Sequence, residues 1–337
     1  IGSKSGKEGG AISSGLTLDG GTTAGDNYLT IELCTFIECE SESGGAIYFQ
    51  EGTRSGNEMG IVKNSTFINC YARGGRGYSI SNSAYIIQFE YVTFKEHNRN
   101  APNPKDHSIL FISSKEQIVP LMINTIIFEH NSGVRSLKLD LKAQFGISLS
   151  SITFKNYNDP QHFACIDLDG WNSPQITFSF IDFINITDAG CIHSSEANFA
   201  TKFLNCYFTN VSFHTEALEN CGACIHFVRD NDKPSSVAET AISNCDFTNV
   251  EATSNGGAIY AFANAVNIET CTFINCRTEY FNGMDQGGAI YLNAVSIDSK
   301  EKLSGCTFRN CSSSYSGGAI HIICRDAEEN RFKHTRA

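Results

Sequence analysis

Short stretches of this chain alternate apolar and polar residues with the two-residue period of a β-strand, and not with the 3.6-residue period of a helix. Two recurring phrases carry the alternation. In the first, GGAI and the residues after it, Ile290 and Leu292 flank Tyr291. We therefore predict that Ile290 and Leu292 face the interior of the protein and that Tyr291 faces outward.

The second phrase reads C-x-F-x-N-C in its full form. Its alternation predicts that Cys271, Phe273 and Asn275 share one face of a strand, while Thr272 and Ile274 take the other. Ten copies of this phrase are centred on Phe36, Phe67, Phe94, Phe128, Phe154, Phe183, Phe208, Phe247, Phe273 and Phe308.

The two phrases alternate along the chain, and a looser apolar segment lies between them. GGAI occurs at 9–12, 44–47, 256–259, 287–290 and 317–320, with decayed copies FACI, AGCI and GACI ending at Ile166, Ile192 and Ile225. Because a repeat of three short strands cannot bury its apolar face alone, successive repeats must stack. The sequence predicts an all-β, single-domain, right-handed parallel β-helix with three sheets and about ten turns. We expect the Gly-Gly pair at a corner that needs positive φ or has no room for a Cβ.

We expect the β-helix to occupy residues 1–324, with residues 325–337 leaving its last turn. The opening IGSKSGKEGGAI begins within a turn, and neither end carries an evident cap. Exposed strand edges can pair with another copy. We therefore expect either a longer native chain or units that stack end to end into a filament.

The repeat resembles those of the polymorphic membrane proteins of intracellular bacteria and of similar cysteine-bearing surface proteins of protists. Most copies here read F-x-N, as Phe67 and Asn69 do, whereas the bacterial pattern is F-x-x-N, and the bacterial C-terminal membrane barrel has no counterpart in this sequence. The resemblance implies a parallel β-helix that serves as a surface or secreted module, closer to the protist variety.

The composition restricts the possible binding partners of the protein and indicates its cellular location. The net charge of −11, without clustered Lys or Arg, argues against nucleic acid as a partner. No run of 18 apolar residues is present, so we expect no membrane insertion by this segment. Fourteen cysteines and four sequons favour the secretory route and an extracellular or cell-surface protein. The alternative is a reduced, cysteine-rich core.

Stacking predicts columns of like residues at strand spacing. One column holds the asparagines of the second phrase, which we expect to be buried and hydrogen-bonded along the stack. On that expectation Asn185, Asn210 and Asn310 stay unmodified although they lie in sequons, and Asn64, which precedes its strand, is the glycosylation candidate.

Cysteines are also expected to form columns. Cys39 with Cys70, and Cys276 with Cys311, take equivalent positions in adjacent repeats, and strand spacing falls within the Cα range of a disulfide. These two pairs are the disulfide candidates. For the inward column, which consists of Cys206, Cys245, Cys271 and Cys306, a ladder of free thiols is an equal alternative.

The residue after each Ile of the first phrase defines an outward column. Its aromatic and imidazole members could stack against sugar rings or a partner's peptide. These candidate ligand residues are Tyr48, His193, His226, Tyr260, Tyr291 and His321. The simpler interpretation is that Tyr and His suit a half-exposed strand face.

Asp140, Asp167 and Asp169 are expected to lie near His193, which makes this group the place to look for acid/base chemistry or Ca²⁺. No nucleophile, arginine or second acid pair can be assigned to it. The sequence therefore predicts no catalytic site, no resident metal and no cofactor, with Ca²⁺ as the ion this group would take.

Two classes of function follow. The first is a non-enzymatic structural or adhesive module that contacts copies of itself, surface or matrix proteins, or glycans. The second is a polysaccharide lyase or hydrolase that acts on acidic glycans, which needs several acidic residues on adjacent turns together with a basic one. Only a sparse version of that set is present, which consists of Lys138, Asp140, Asp167 and Asp169.

Overall fold

The structure is a computed structural model. It describes residues 6, 9–15, 27–50, 58–74, 77–82, 86–98, 108–117, 122–143, 147–159, 164–168, 175–194, 200–214, 222–228, 239–263, 265–279, 285–294, 301–325 and 332–336. The chain divides into two compact units, Ile1–Gln161 with Gly170–Pro174, and His162–Asp169 with Gln175–Ala337. The described residues include no helix long and apolar enough to cross a membrane.

The first unit is built from parallel strands. They are β1 (Ile12–Gly15), β2 (Asn27–Glu32), β3 (Thr35–Ile37), β4 (Glu40–Ser41), β5 (Ile47–Gln50), β6 (Glu58–Lys63), β7 (Thr66–Ile68), β8 (Tyr71–Ala72), β9 (Ile80–Asn82), β10 (Ile86–Lys95), β11 (Ser108–Gln117), β12 (Met122–Glu129), β13 (Arg135–Ala143) and β14 (Ile147–Asn158). The GGAI-type strands pair in the order β1-β5-β9-β11-β13, and the strands opposite them in the order β2-β6-β10-β12-β14. Strand β3 pairs with β7, and β7 pairs with the second half of β10.

The second unit repeats this plan. Its strands are β15 (Ala164–Asp167), β16 (Gln175–Thr187), β17 (Gly190–Ser194), β18 (Ala200–Leu204), β19 (Tyr207–Phe213), β20 (Ile225–Val228), β21 (Glu239–Ser243), β22 (Asp246–Ala252), β23 (Ile259–Ala263), β24 (Ala265–Glu269), β25 (Thr272–Thr278), β26 (Ile290–Ala294), β27 (Lys302–Ser304), β28 (Thr307–Arg309), β29 (Ile320–Arg325) and β30 (Phe332–Arg336). Three stacks run through it, β15-β17-β20-β23-β26-β29, β16-β18-β21-β24-β27 and β16-β19-β22-β25-β28. All of these pairings are parallel, which confirms the parallel β-helix.

The phenylalanine of the second phrase forms the centre of each core. In the second unit these residues pair in register from Phe183 to Phe308. Neighbouring ring centroids lie 4.7–5.0 Å apart. A fully buried Phe such as Phe247 contributes about 1.5–3 kcal/mol relative to an exposed one. The same stacking recurs in the first unit from Phe36 to Phe154.

Every copy of the second phrase is bounded by two residues in the left-handed conformation. One lies three residues before the phenylalanine, as Thr270 does (φ 55°), and the other two residues after it, as Asn275 does (φ 54°). A left-handed residue interrupts the alternation of the strand, so Asn275 is exposed although Cys271 and Phe273 are buried. The prediction that these three residues share a face was therefore wrong for Asn275.

The glycine pair of GGAI meets both predicted requirements. The first glycine has positive φ, as at Gly256 (69°) and Gly287 (68°). The second has no room for a side chain, because a Cβ on Gly257 would lie 2.1 Å from the carbonyl oxygen of Gly288. The decayed copy AGCI is less constrained, since a Cβ on Gly190 would meet its nearest neighbour at 3.8 Å.

The GGAI-type sheet includes residues beyond the predicted boundary at residue 324. Strand β29 runs to Arg325, and β30 pairs with it in antiparallel orientation, with His321 opposite Arg336. Residues of the expected departing segment therefore occupy the edge of the GGAI-type sheet. The edge of β29 is thus covered by β30.

We predict that Gly257→Ala lowers the free energy of unfolding by about 1–3 kcal/mol or more, because the new Cβ overlaps a backbone carbonyl that cannot move independently of the sheet. Gly190→Ala, at the equivalent position of another turn, is the matched control and should be neutral or slightly stabilising. Urea denaturation of both variants measures the difference. Equal losses of stability would contradict the corner assignment.

Candidate functional site

The asparagines that follow the core phenylalanines in the second unit form a hydrogen-bonded ladder, hereafter the Asn ladder. Each side-chain Nδ2 donates to the Oδ1 of the preceding turn. The distances are 3.0 Å for Asn210 to Asn185, 2.9 Å for Asn249 to Asn210, 2.7 Å for Asn275 to Asn249 and 3.2 Å for Asn310 to Asn275. Asn tolerates the left-handed corner better than most residues, and stacking at strand spacing brings each amide within reach of the next.

The Asn ladder is exposed, and the prediction of a buried ladder was wrong. The ladder asparagines all have positive φ, which turns their side chains out of the core. The sequons at Asn185, Asn210 and Asn310 are thus not protected by burial, although their amides are engaged in the ladder. Asn64 is exposed as expected, with its amide 3.5 Å from the Glu32 carboxylate, and stays the predicted glycosylation site.

A groove of about 480 Å³ lies beside the Asn ladder. Its polar lining comes from Asn249, Glu251, Asn275, Arg277, Asn310 and Ser312. These residues fall on three successive turns and on two columns, two and four residues after the core phenylalanine. An asparagine with ladder neighbours on both sides uses one N–H and one carbonyl lone pair of its amide within the ladder. The second N–H and the second lone pair of that amide are available to a ligand.

Charged side chains cluster at one end of this groove. Glu251 of β22 and Arg277 of β25 are paired across the strands, and their side chains form an ion pair at 2.6 Å. Arg277 also lies 3.3 Å from the carboxylate of Glu279. Burial acts to raise the pKa of Glu251, but hydrogen bonds with Glu279, Arg277 and His214 outweigh it and lower that pKa. The hydrogen bond with Glu251 raises the pKa of Glu279.

His214, which directly follows β19, joins this cluster. Its Nδ1 lies 3.1 Å from the Asp188 carboxylate and its Nε2 lies 3.4 Å from that of Glu251. We call these five residues the charged cluster: Asp188, His214, Glu251, Arg277 and Glu279. The sequence-based predictions missed it, although opposite charges four residues after Phe247 and Phe273 were a readable signal.

The rings of the outward column stack as predicted, but only some of them are accessible to solvent. Ring centroids are 4.9 Å apart for His193 and His226, and 5.1 Å apart for Tyr260 and Tyr291. Tyr260, Tyr291 and His321 are buried, so the prediction of an exposed ligand surface was wrong for these three. Apolar Phe262 and Ile323 pack with the two tyrosines in one cluster, which makes this sheet apolar on both faces.

The remaining members of that column are less enclosed. Tyr48, His193 and His226 are half-buried. Burial, together with the neighbouring His193, lowers the pKa of His226 to about 3, so His226 is neutral near pH 7. These three stay ligand candidates.

The acidic group expected around Asp167 does not form an accessible site among the described residues. Asp167 lies opposite His193 on adjacent strands, as predicted, but it is only 1% exposed. Asp140 lies in β13, and Asp169 falls outside the described residues. The charged cluster, and not this group, brings acidic and basic side chains together.

No disulfide joins the cysteines whose side chains the structure describes, and the pairs Cys39–Cys70 and Cys276–Cys311 stay a prediction. Cys206, Cys245 and Cys271 are buried neighbours on successive turns, in agreement with a thiol ladder. Cys276 and Cys311 also interact through their side chains. Their hydrogen bond lowers the pKa of Cys311 to about 7 and raises that of Cys276.

We predict that iodoacetamide at pH 7 alkylates Cys311 of the reduced protein faster than Cys306. Both thiols are half-buried and lie in the same turn, but burial raises the pKa of Cys306, and only thiolates react. Peptide mass spectrometry of time points measures both rates. Cys276→Ala removes the hydrogen bond and should slow labelling of Cys311; unchanged labelling would contradict the assignment.

Comparison with known proteins adds no assignment to this geometry. No protein-family model, curated protein or solved structure matches the chain.

Proposed function

We propose that this chain is a non-enzymatic structural or adhesive β-helix module of an extracellular or cell-surface protein, and that it binds glycan chains along the groove beside the Asn ladder. The observation that supports it best is the repetition of one amide on every turn of this surface. A periodic row of donors and acceptors suits a ligand that is itself periodic and rich in hydroxyl groups.

The geometry of the groove supports a carbohydrate over an apolar ligand. Asn249, Asn275 and Asn310 offer amide donors and acceptors, and Ser312 adds a hydroxyl. The amides are already held in place by one another, which reduces the side-chain entropy lost on binding. The rigid parallel sheets beneath them keep the spacing of the row fixed.

The extracellular part of the proposal rests on the sequons and the cysteines. Asn64 is exposed, and the pairs Cys39–Cys70 and Cys276–Cys311 are suitably placed for disulfides in an oxidising compartment. Copies of the module and matrix proteins are further partners in this proposal. End-to-end assembly beyond the last turn would use β27 and β28, because β30 occupies the edge of β29.

A second candidate function, cleavage of acidic glycans as a lyase or hydrolase, is favoured by the charged cluster. Arg277 could neutralise a sugar carboxylate, while Glu251, Glu279 and His214 supply groups for proton transfer. This is the combination of acidic and basic residues on adjacent turns that such an enzyme requires.

The test of glycan binding uses the double variant Asn249→Gly/Asn275→Gly. Glycine keeps the left-handed corners but removes two central amides, so we expect at least a tenfold loss of affinity for any oligosaccharide that an array identifies. Asn156→Gly, an exposed left-handed asparagine of the first unit, is the matched control. Equal affinity of the double variant and the wild type would contradict the proposal.

An assay with acidic polysaccharides distinguishes glycan binding from glycan cleavage. Incubation with polyuronates, followed by chain-length analysis, should leave the polymer intact if the module is non-enzymatic. Shortened products that Glu251→Gln abolishes would overturn the non-enzymatic proposal and establish the second candidate.

A further inference from the structure

The charged cluster of the second unit combines ligand types that divalent transition metals prefer. The donor atoms of His214, Glu251 and Glu279 all lie within 4.8 Å of one another. Zinc is typically bound by imidazole nitrogen and carboxylate oxygen, with three protein ligands and an open fourth position in sites that act on or recruit other molecules.

Asp188 provides an independent indication. Its carboxylate lies 3.1 Å from Nδ1 of His214, while Nε2 of the same ring points toward Glu251 at 3.4 Å. Metal-binding histidines commonly donate one ring N–H to a carboxylate, which fixes the tautomer and directs the other nitrogen at the metal. With Nδ1 beside Asp188, Nε2 is the ring nitrogen that faces Glu251, and its distance to Glu279 also lies within the 4.8 Å of the group.

The charge balance of the cluster also favours a dication. Asp188, Glu251 and Glu279 bring three carboxylates together, and Arg277 supplies one compensating charge. Within this cluster the carboxylates outnumber the one guanidinium, an arrangement that favours binding of a cation. Arg277 is about half exposed, so its guanidinium can withdraw into solvent and release both glutamates.

We infer that His214, Glu251 and Glu279 form a zinc site at the end of the groove, with Asp188 orienting His214. Two glutamates and one imidazole leave a fourth position, where water or an oxygen of a bound molecule would complete the tetrahedron. The ligand atoms need to approach by about 1 Å from their present separations, given Zn–N and Zn–O bonds near 2.0–2.2 Å. Glu279 follows the end of β25 and is more than half exposed, so its side chain has room to move.

Zinc binding to chelator-treated protein tests the inference directly. Isothermal titration with ZnCl₂ should give one equivalent at a site that His214→Gln weakens at least tenfold. Asp188→Asn should weaken it by about tenfold, in line with the usual cost of losing an orienting carboxylate. His130→Gln, an exposed histidine beside the single carboxylate of Glu129, is the matched control and should leave binding unchanged.

Cysteines are the main competing zinc ligands, and cobalt distinguishes them. Co²⁺ at the inferred site should give visible d–d absorption without the near-ultraviolet charge-transfer band of thiolate ligation. A thiolate band, or zinc affinity that is equal in wild type and His214→Gln, would overturn the inference.

A measurement on the wild type keeps the test independent of how well the variants fold. Diethylpyrocarbonate modifies accessible histidines, and zinc coordination through Nε2 should protect His214 while His130 continues to react. Modification of both histidines at the same rate with and without saturating zinc would contradict the site.

Discussion

Stacking of identical side chains at strand spacing is the constraint on which the structure of each unit depends. Once one turn places Phe247 over Phe208 and under Phe273, every other position of the repeat is in register with its neighbours. Alternation within the strands would by itself produce flat sheets. The left-handed residues on either side of the phenylalanine turn the chain at fixed points, and the repeat therefore closes into a coil.

The same constraint explains why the protein has functional surfaces without a single distinctive motif. A residue placed at an outward corner is repeated at strand spacing on the next turn, so Asn249, Asn275 and Asn310 become a row of amides. Where the repeated position varies, as at Glu251 and Arg277, neighbouring turns instead bring different charges together. The Asn ladder and the Glu251–Arg277 ion pair are thus products of one register, two and four residues after the core phenylalanine.

Most of the fold could be predicted from the sequence because the repeat encodes it directly. The phenylalanine and isoleucine columns, the stacked rings and the two roles of the glycine pair all follow from period and residue type. Backbone φ is where the prediction failed: alternation alone placed Asn275 inward, whereas a left-handed corner turns it out. The burial of Tyr260 and Tyr291 was missed for a different reason, because it depends on apolar packing with Phe262 and Ile323 on the outer face. The charged cluster combines residues from four turns, and its members share no phrase.

The most direct test of the central claim is nuclear magnetic resonance of the side-chain amides of the Asn ladder during titration with an oligosaccharide that binds the protein. The account predicts progressive shifts of the Asn249, Asn275 and Asn310 amide resonances, and none for Asn156 of the first unit. Saturation of binding without any change at these three amides would show that the ladder is only a structural corner and would contradict the account.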